Sequence, residues 1–483
     1  METQKNVFYN VLLALSQVLF PMLTFPYLAR VLGPAHVGVL NFAESYARYF
    51  VLVAAVGIPV YGVREVAKVY NNKKALSQLF VEIFSINLIT TIVLAFVFGL
   101  TIINVNKLNA ERSLFYWSLL FFFLQVFLLE WFFIGMKQFK FIAIRFFFIR
   151  LLFIICVFTL IKSSADYLIY MRMQVFLNLV LSAVNIYYVF KFIVIDKVTL
   201  AEINLKKHIK PLLLLFLTIF FISIYLQLDT VILGFLTDSE SVGYYSSALK
   251  LNKLLIAVFA AISAAMFPKM MNLLQEGNIA SFDKMIQDCF YVILSFSLPT
   301  ATLVVMCAPE IVQILFGNHF ERAILPLQIT APIIVIVSLS TIFGFQILSA
   351  LAKDKSILVS AILGTIVSLV FSILFVQLFK EVGESITIVF TELTVCCSFI
   401  YFSRKYFNIN KFTIILLHQI IAIVPVIFFV LGIKYLIENL YERIISISII
   451  TIVWYFILHY YILSESVLKI EFLKLTKKHL GSS

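Results

Sequence analysis

Charge is what this chain has least of. Only 13% of its 483 residues are Asp, Glu, Lys or Arg, and 62% are hydrophobic. Soluble domains carry about 25% charged residues, so a soluble fold of this length could not hide the apolar surface. Glycine is scarce as well, with 15 residues. None belongs to a phosphate-cradling loop, and neither Gly-x-Ser-x-Gly nor His-Glu-x-x-His occurs. Nothing therefore argues for ATP use or for hydrolytic chemistry. The five cysteines, Cys156, Cys289, Cys307, Cys396 and Cys397, all sit in apolar segments, which leaves no disulfide framework and no zinc pattern. The six histidines are scattered. No metal and no cofactor are expected.

What the chain does have is long apolar runs, recurring from Val7 to Leu463. They are continuous rather than alternating, which selects helices over a barrel, because lipid offers backbone groups no hydrogen-bond partner. Counting runs bounded by charge, Pro or Asn gives about fourteen spans. They lie near 7–30, 37–62, 79–104, 113–135, 141–162, 167–194, 211–236, 242–266, 286–308, 323–350, 357–379, 385–402, 412–437 and 443–463. The first run is too long for a signal peptide and reads as an uncleaved span.

The net charge of +12 does not point to nucleic acid, because the bases lie in short loops. With the N-terminus in the cytoplasm, about 24 of the 37 Lys and Arg fall on the inside and about 8 outside. Both termini are accordingly expected in the cytoplasm. No loop exceeds roughly 20 residues, too few for a separate domain.

An internal repeat is visible. Val37-Gly38-Val39-Leu40-Asn41-Phe42-Ala43 and Val242-Gly243-Tyr244-Tyr245-Ser246-Ser247-Ala248 share a pattern, and a base follows each alanine, Arg48 in one copy and Lys253 in the other. Each span then ends near a proline, Pro59 or Pro268. Transporters build two halves around a central site in this way. The expected division is an N-terminal six-helix bundle at 1–194, a basic cytoplasmic linker at 195–210, a second six-helix bundle at 211–402, and two further helices with a tail at 403–483.

Ionisable residues inside spans cost at least about 2.5–3.5 kcal/mol each on insertion scales and need a reason to be there. The bases are Arg30, Arg48, Arg150, Arg172, Lys250 and Lys253; the acids are Glu44, Glu82, Glu130, Asp229 and Glu392. Glu44 and Arg48 share a helix face and can neutralise each other. Alternatively Arg48 offers its planar fork to phosphate oxygens. Lys250 and Lys253, three apart, occupy the matching region of the second half. Asp229 reads either as a proton or sodium site or as a salt-bridge partner of Arg30, Arg48 or Lys250, and Glu82 as an interfacial acid at the mouth of the third span.

Four stretches stand out: Phe25-Pro26-Tyr27-Leu28-Ala29-Arg30-Val31-Leu32-Gly33-Pro34, Gly57-Ile58-Pro59 with Gly62-Val63-Arg64-Glu65, Asp229-Thr230-Val231-Ile232-Leu233-Gly234, and Pro309-Glu310-Ile311 with Leu315-Phe316-Gly317. Together they resemble the Wzx-type polysaccharide flippases of the multidrug/oligosaccharidyl-lipid/polysaccharide exporter superfamily. The resemblance implies an all-α polytopic membrane protein with two pseudo-symmetric six-helix bundles facing in a V, plus two C-terminal helices. It further implies carriage of an undecaprenyl-diphosphate-linked oligosaccharide, an O-antigen or capsule repeat unit, from the inner to the outer leaflet of the bacterial cytoplasmic membrane by alternating access. A cationic cavity goes with that cargo, and Arg30, Arg48, Lys250 and Lys253 are the expected substrate contacts, with Asp229 and Glu44 as ion-coupling or gating groups for H+ or Na+. Polysaccharide polymerase and glycosyltransferases are the implied partners. Two rivals remain in the same superfamily: a flippase for another glycopolymer such as a teichoic-acid precursor, and a drug or cation antiporter. A membrane glycosyltransferase or polymerase would need a large outside loop, and none is present.

Overall fold

The computed structural model describes residues 2–194 and 203–457. Half of the expected basic linker, the end of the last apolar run and the lysines of the tail lie outside the described residues.

Every regular element described is a helix, as continuous apolar runs demand. The helices break where the backbone turns left-handed. Gly33 (φ 73°) interrupts Glu2–Ala55, and Val56 (φ 44°) with Gly57 (φ 81°) separates that helix from Ile58–Val69. Leu129 (φ 52°) divides Arg112–Leu124 and its 3₁₀ extension from Glu130–Gly135. Lys380 (φ 49°) sits inside Asp354–Ser403. There the chain doubles back: Ser372 donates to Glu384 at 3.1 Å, whereas a straight helix would hold these residues about 18 Å apart. Helix starts are marked by Asn72, Asn278 and Asn408, whose side chains accept from backbone N–H groups at 3.1 Å, satisfying donors that a helix leaves orphaned.

By length and composition, eight described helices can cross a membrane, or ten if each of two bent pairs counts as one span. That is short of the fourteen expected, partly because Glu2–Ala55 and Asp354–Ser403 each merge two runs across a turn. The apolar surface is on the outside. Along Lys73–Asn104 the exposed side chains Ile89, Val93, Phe96, Leu100 and Ile103 form one stripe, the face a bilayer covers and water would not.

The chain divides into two compact units, Met1–Ser246 and Ser247–Ser483. The first takes in the helix Lys206–Leu236 and the opening of Ser239–Gln275. Its core is aromatic, with Phe80, Trp131, Phe132 and Phe133 packed on Tyr61 and Leu212. Trp131 covers Gly62 so closely that a Cβ there would enter the indole ring. The second unit has one core around Phe290, Phe343 and Phe412 and another around Val426, Val430 and Ile447. Its π-helical stretch Thr341–Ser349 carries Gln346, whose amide donates to Ser263 and Cys289.

Candidate transport site

In the first unit the helix resuming after Gly33 carries Glu44 and Arg48 one turn apart. They pair, Arg48 Nη2 to Glu44 Oε1 at 2.6 Å and Nε to the same oxygen at 3.1 Å. Half of the Arg48 side chain is nevertheless exposed, and its guanidinium lies 6.0 Å from the Phe121 ring centroid. A second base joins them. Arg150, on Phe139–Leu160, stands over Phe146 at 5.1 Å and is within electrostatic reach of Glu44, Arg48 and Tyr170. Two guanidiniums against one carboxylate leave the group one positive charge in excess, suited to an anionic ligand. Arg172, on Tyr167–Val189, stacks on Trp117 at 5.7 Å. The sequence marked Arg150 as a costly intramembrane base, but nothing in it tied Arg150 to Glu44. Their meeting depends on Phe139–Leu160 packing along Glu2–Ala55.

The other expected site residues are placed as follows. Arg30 is exposed on the helix ahead of Gly33. Lys250 and Lys253 are exposed on Ser239–Gln275 and belong to the second unit. Asp229 is buried in the first unit. Its carboxylate accepts from the Tyr245 hydroxyl at 2.8 Å and from the Thr230 N–H and hydroxyl at 2.7 and 3.3 Å. These partners are neutral, so Asp229 is held by hydroxyls and backbone.

The repeat has a geometry that periodicity could not show. A Cβ on Gly38 would run into the Ser239 carbonyl oxygen, and a Cβ on Gly243 into the Pro34 carbonyl oxygen. Pro34 and Ser239 occupy the same place in the two copies, four residues before their glycines. Each copy therefore presses its glycine on the other's helix start. Asn41 and Ser246, also equivalent, are joined by a hydrogen bond of 2.7 Å. Beside this contact Lys107 donates to the Thr237 carbonyl; burial pushes its ammonium below the usual lysine value, and nearby Asp238 opposes the shift.

Glu82, expected at the mouth of the third span, has a set of partners that the sequence did not show. It is wholly buried, because the chain folds back on it after residue 203. Its carboxylate accepts from Lys207 Nζ at 2.8 Å, His208 Nε2 at 2.9 Å and the Asn204 N–H at 2.8 Å. A cavity of about 190 Å³ in the same unit is lined by Ala55, Asn87, Thr91, Gln125, Glu130 and Trp131. It lies where the break after Ala55 meets the break at Leu129, and its amide, hydroxyl and carboxylate groups suit a hydroxyl-bearing ligand.

In the second unit Glu310 is buried and accepts from Lys434 at 2.7 Å and Arg443 at 3.0 Å. This fastens both C-terminal helices, Ile409–Leu436 and Leu440–Ile457, to Ala308–Leu315. Burial would push the Glu310 carboxyl up; the hydrogen bonds outweigh it and hold the group below its ordinary value. Among the described residues no cluster of three metal-ligating side chains occurs.

Comparison with known proteins bears on the family and the fold. A family described as polysaccharide biosynthesis protein matches residues 3–274, more than half of the chain. Two relatives carry the name "Putative O-antigen transporter". The one from Escherichia coli (strain K12) is 26% identical over 407 residues, covering 83% of this chain and 97% of the relative. The one from Shigella dysenteriae is 24% identical, covering 81% and 98%. Among solved structures, the lipid II flippase MurJ in an inward closed conformation superposes with a TM-score of 0.69 at 16% identity, covering 93% of this chain and 97% of that one. An inward-facing multidrug resistance MATE family transporter gives 0.60 at 14% identity, covering 83% and 98%. At such identities the likeness is one of fold.

Proposed function

The chain belongs to the polysaccharide biosynthesis protein family and has the fold of the multidrug/oligosaccharidyl-lipid/polysaccharide exporters, and on that premise we propose that it is the flippase for an undecaprenyl-diphosphate-linked oligosaccharide. The observation that carries this reading is the group Glu44, Arg48 and Arg150, with its excess positive charge and half-exposed Arg48. The relatives named as O-antigen transporters support the sugar class.

The physics of the cargo sets the mechanism. A diphosphate with attached sugars cannot cross about 30 Å of hydrocarbon unaided, while a polyprenyl tail can remain in lipid. Arg48 and Arg150 bind phosphate oxygens, Lys253 supplies the repeat-equivalent base from the second unit, and Arg30 and Lys250 add to the field. The amides and hydroxyl around the 190 Å³ cavity offer hydrogen bonds to sugar. Rocking of the two repeats changes the leaflet to which the head group is exposed. The protein works in the bacterial cytoplasmic membrane with both termini inside, drawing cargo from glycosyltransferases and delivering it to a polymerase.

Deletion in the native host tests this reading: lipid-linked oligosaccharide should accumulate on the inner leaflet, and a normal profile would refute it. The site is tested by Arg48→Ala. A charge-assisted hydrogen bond is worth about 1.5–3 kcal/mol, so the variant should lose roughly ten- to a hundredfold in cargo affinity. Arg48→Lys should lose less. Normal export by a Glu44→Gln, Arg48→Gln double variant would show that Arg48 only neutralises Glu44.

A further inference from the structure

The second unit carries an apolar groove on an exposed face, and one end of that groove is basic. The helix Asp354–Ser403 doubles back at Lys380, so its two limbs run side by side. The reversal is tight, since a Cβ on Gly383 would strike the Phe375 carbonyl oxygen. The hydrogen bond from Ser372 to Glu384 fixes the register: residues equally far from it along the two limbs are neighbours. Leu363, nine before Ser372, and Leu393, nine after Glu384, accordingly line one groove, together with Phe390, Cys397 and Tyr401. Leu363, Phe390, Leu393 and Tyr401 are each at least 40% exposed, as on a face that lipid covers. Thr394 donates its hydroxyl hydrogen to the Phe390 carbonyl at 2.8 Å, so that part of the wall is apolar too.

Length and charge say what fits. From Phe390 to Tyr401 the groove follows about 16 Å of helix, and one leaflet of a bilayer offers about 15 Å of hydrocarbon. A single acyl chain fills that length, whereas a polyprenyl chain is far longer. The register sets Lys355 level with Tyr401, seventeen residues from the bond on either limb, so Lys353, Lys355, Arg404 and Lys405 gather at one end of the groove. All four are exposed. The acid nearest them in sequence is Asp354, and none occurs from Leu393 to Ile437. Among the described residues none of the four bases has an ion pair. Arg404 is the best placed. Its Cζ lies 4.2 Å from the Tyr401 ring centroid, so the ring that walls the groove also holds the guanidinium at its mouth, and the N–H groups stay available to phosphate oxygens. Bases at a membrane surface need no ligand where they only orient the protein. Here they close a groove of acyl-chain length, and one is held on its wall.

We propose that this groove binds one anionic phospholipid, with the phosphate on Arg404 and the neighbouring lysines and an acyl chain against Phe390, Leu393, Cys397 and Tyr401. Basic pockets between transmembrane helices hold anionic head groups in this way. The site belongs to the second unit, whereas Glu44, Arg48 and Arg150 belong to the first, and it stands whether or not the protein carries a sugar.

The test uses the full chain in phosphatidylcholine vesicles holding a trace of phosphatidylglycerol with a photoreactive diazirine in its acyl chain, and a phosphatidylcholine with the same group as the control. After irradiation, peptides spanning residues 390–402 should carry at least about tenfold more of the anionic probe, since each base near an anionic head group contributes roughly fivefold. Arg404→Gln should lower that labelling about fivefold, and adding Lys405→Gln should bring it near the phosphatidylcholine level. In the unaltered protein, raising the salt from about 0.05 to 0.5 M should lower it as well, because screening weakens the attraction. Labelling of the exposed stripe from Ile89 to Ile103 should be the same in the variants, which shows that they fold. Equal labelling by the two probes, or a preference that survives both the double variant and high salt, overturns the site. Displacement of the anionic probe by a polyprenyl diphosphate at equal concentration would give the groove to the tail of the cargo and overturns it too. Export enters none of these readings, so failure of the flippase reading would leave them unchanged.

Discussion

Two of the contacts within the first unit, one at Gly38 and Gly243 and one at Glu82, are chemically opposite. At Gly38 and Gly243 the helices touch backbone to backbone, and a neutral hydrogen bond joins Asn41 to Ser246. At Tyr61, Glu82 and His208 they are tied by a buried carboxylate, an imidazole and a lysine. Gly38 and Tyr61 stand 23 positions apart, about 30 Å along a bent helical path, so the contacts lie near opposite ends of one crossing. Close small-residue packing holds by shape and is indifferent to pH. An ionic tie holds by charge and answers to protons. A transporter that must release its two ends in turn gains from having them respond to different variables.

The largest effect should come from spoiling the shape of the glycine contact. Gly38→Val places a side chain on a backbone carbonyl that has no room to move, and overpacking of this kind costs about 1–3 kcal/mol or more. Export measured as surface polysaccharide should be lost, with Gly243→Val equally damaging because the contact is reciprocal. Full export by either variant would show that the copies do not depend on this approach.

A smaller effect is expected from an ionic contact in the second unit, which checks that charge brings pH dependence. Glu310 is held below its ordinary value of 4.5, so its contribution is full above that pH and is lost as pH falls through the lower native value. Removing its bonds to Lys434 and Arg443 should cost about 1.5–3 kcal/mol. The docking of the two C-terminal helices, followed by proteolysis or hydrogen exchange, should therefore weaken in acid, and Glu310→Gln should weaken it at neutral pH and abolish the acid dependence. Acid dependence surviving in Glu310→Gln would assign it to another group.

The smallest effect belongs to the neutral bond. A double-mutant cycle on Asn41→Ala and Ser246→Ala should give a coupling of about 0.6 kcal/mol, typical of polar pairs between helices in membranes. It should not vary between pH 5.5 and 8. A coupling that titrates would erase the distinction between the two contacts.

Legibility followed distance along the chain. The Glu44–Arg48 pair was readable because four residues on a helix is a local spacing. The turn at Gly33 falls in the gap between the expected spans 7–30 and 37–62, whereas those at Leu129 and Lys380 use left-handed residues other than glycine, and only surrounding packing makes such turns tolerable. The clasp on Glu82 joins residues 126 apart, and no periodicity connects them.

Sequence alone determined that this protein is a bundle of apolar helices, that its two halves repeat a motif, and where charge is scarce enough to matter. Hydropathy and helical period are properties of neighbouring residues, and lipid makes them decisive by leaving the backbone no partner but itself. Tertiary structure alone decided that Arg150 joins Glu44 and Arg48, that Asp229 rests on Tyr245, that the glycines of the two copies press on each other, and that Glu82 is buried under His208. Each is a meeting of helices distant in sequence, fixed by which faces pack, and packing is a property of the whole fold rather than of any stretch of it.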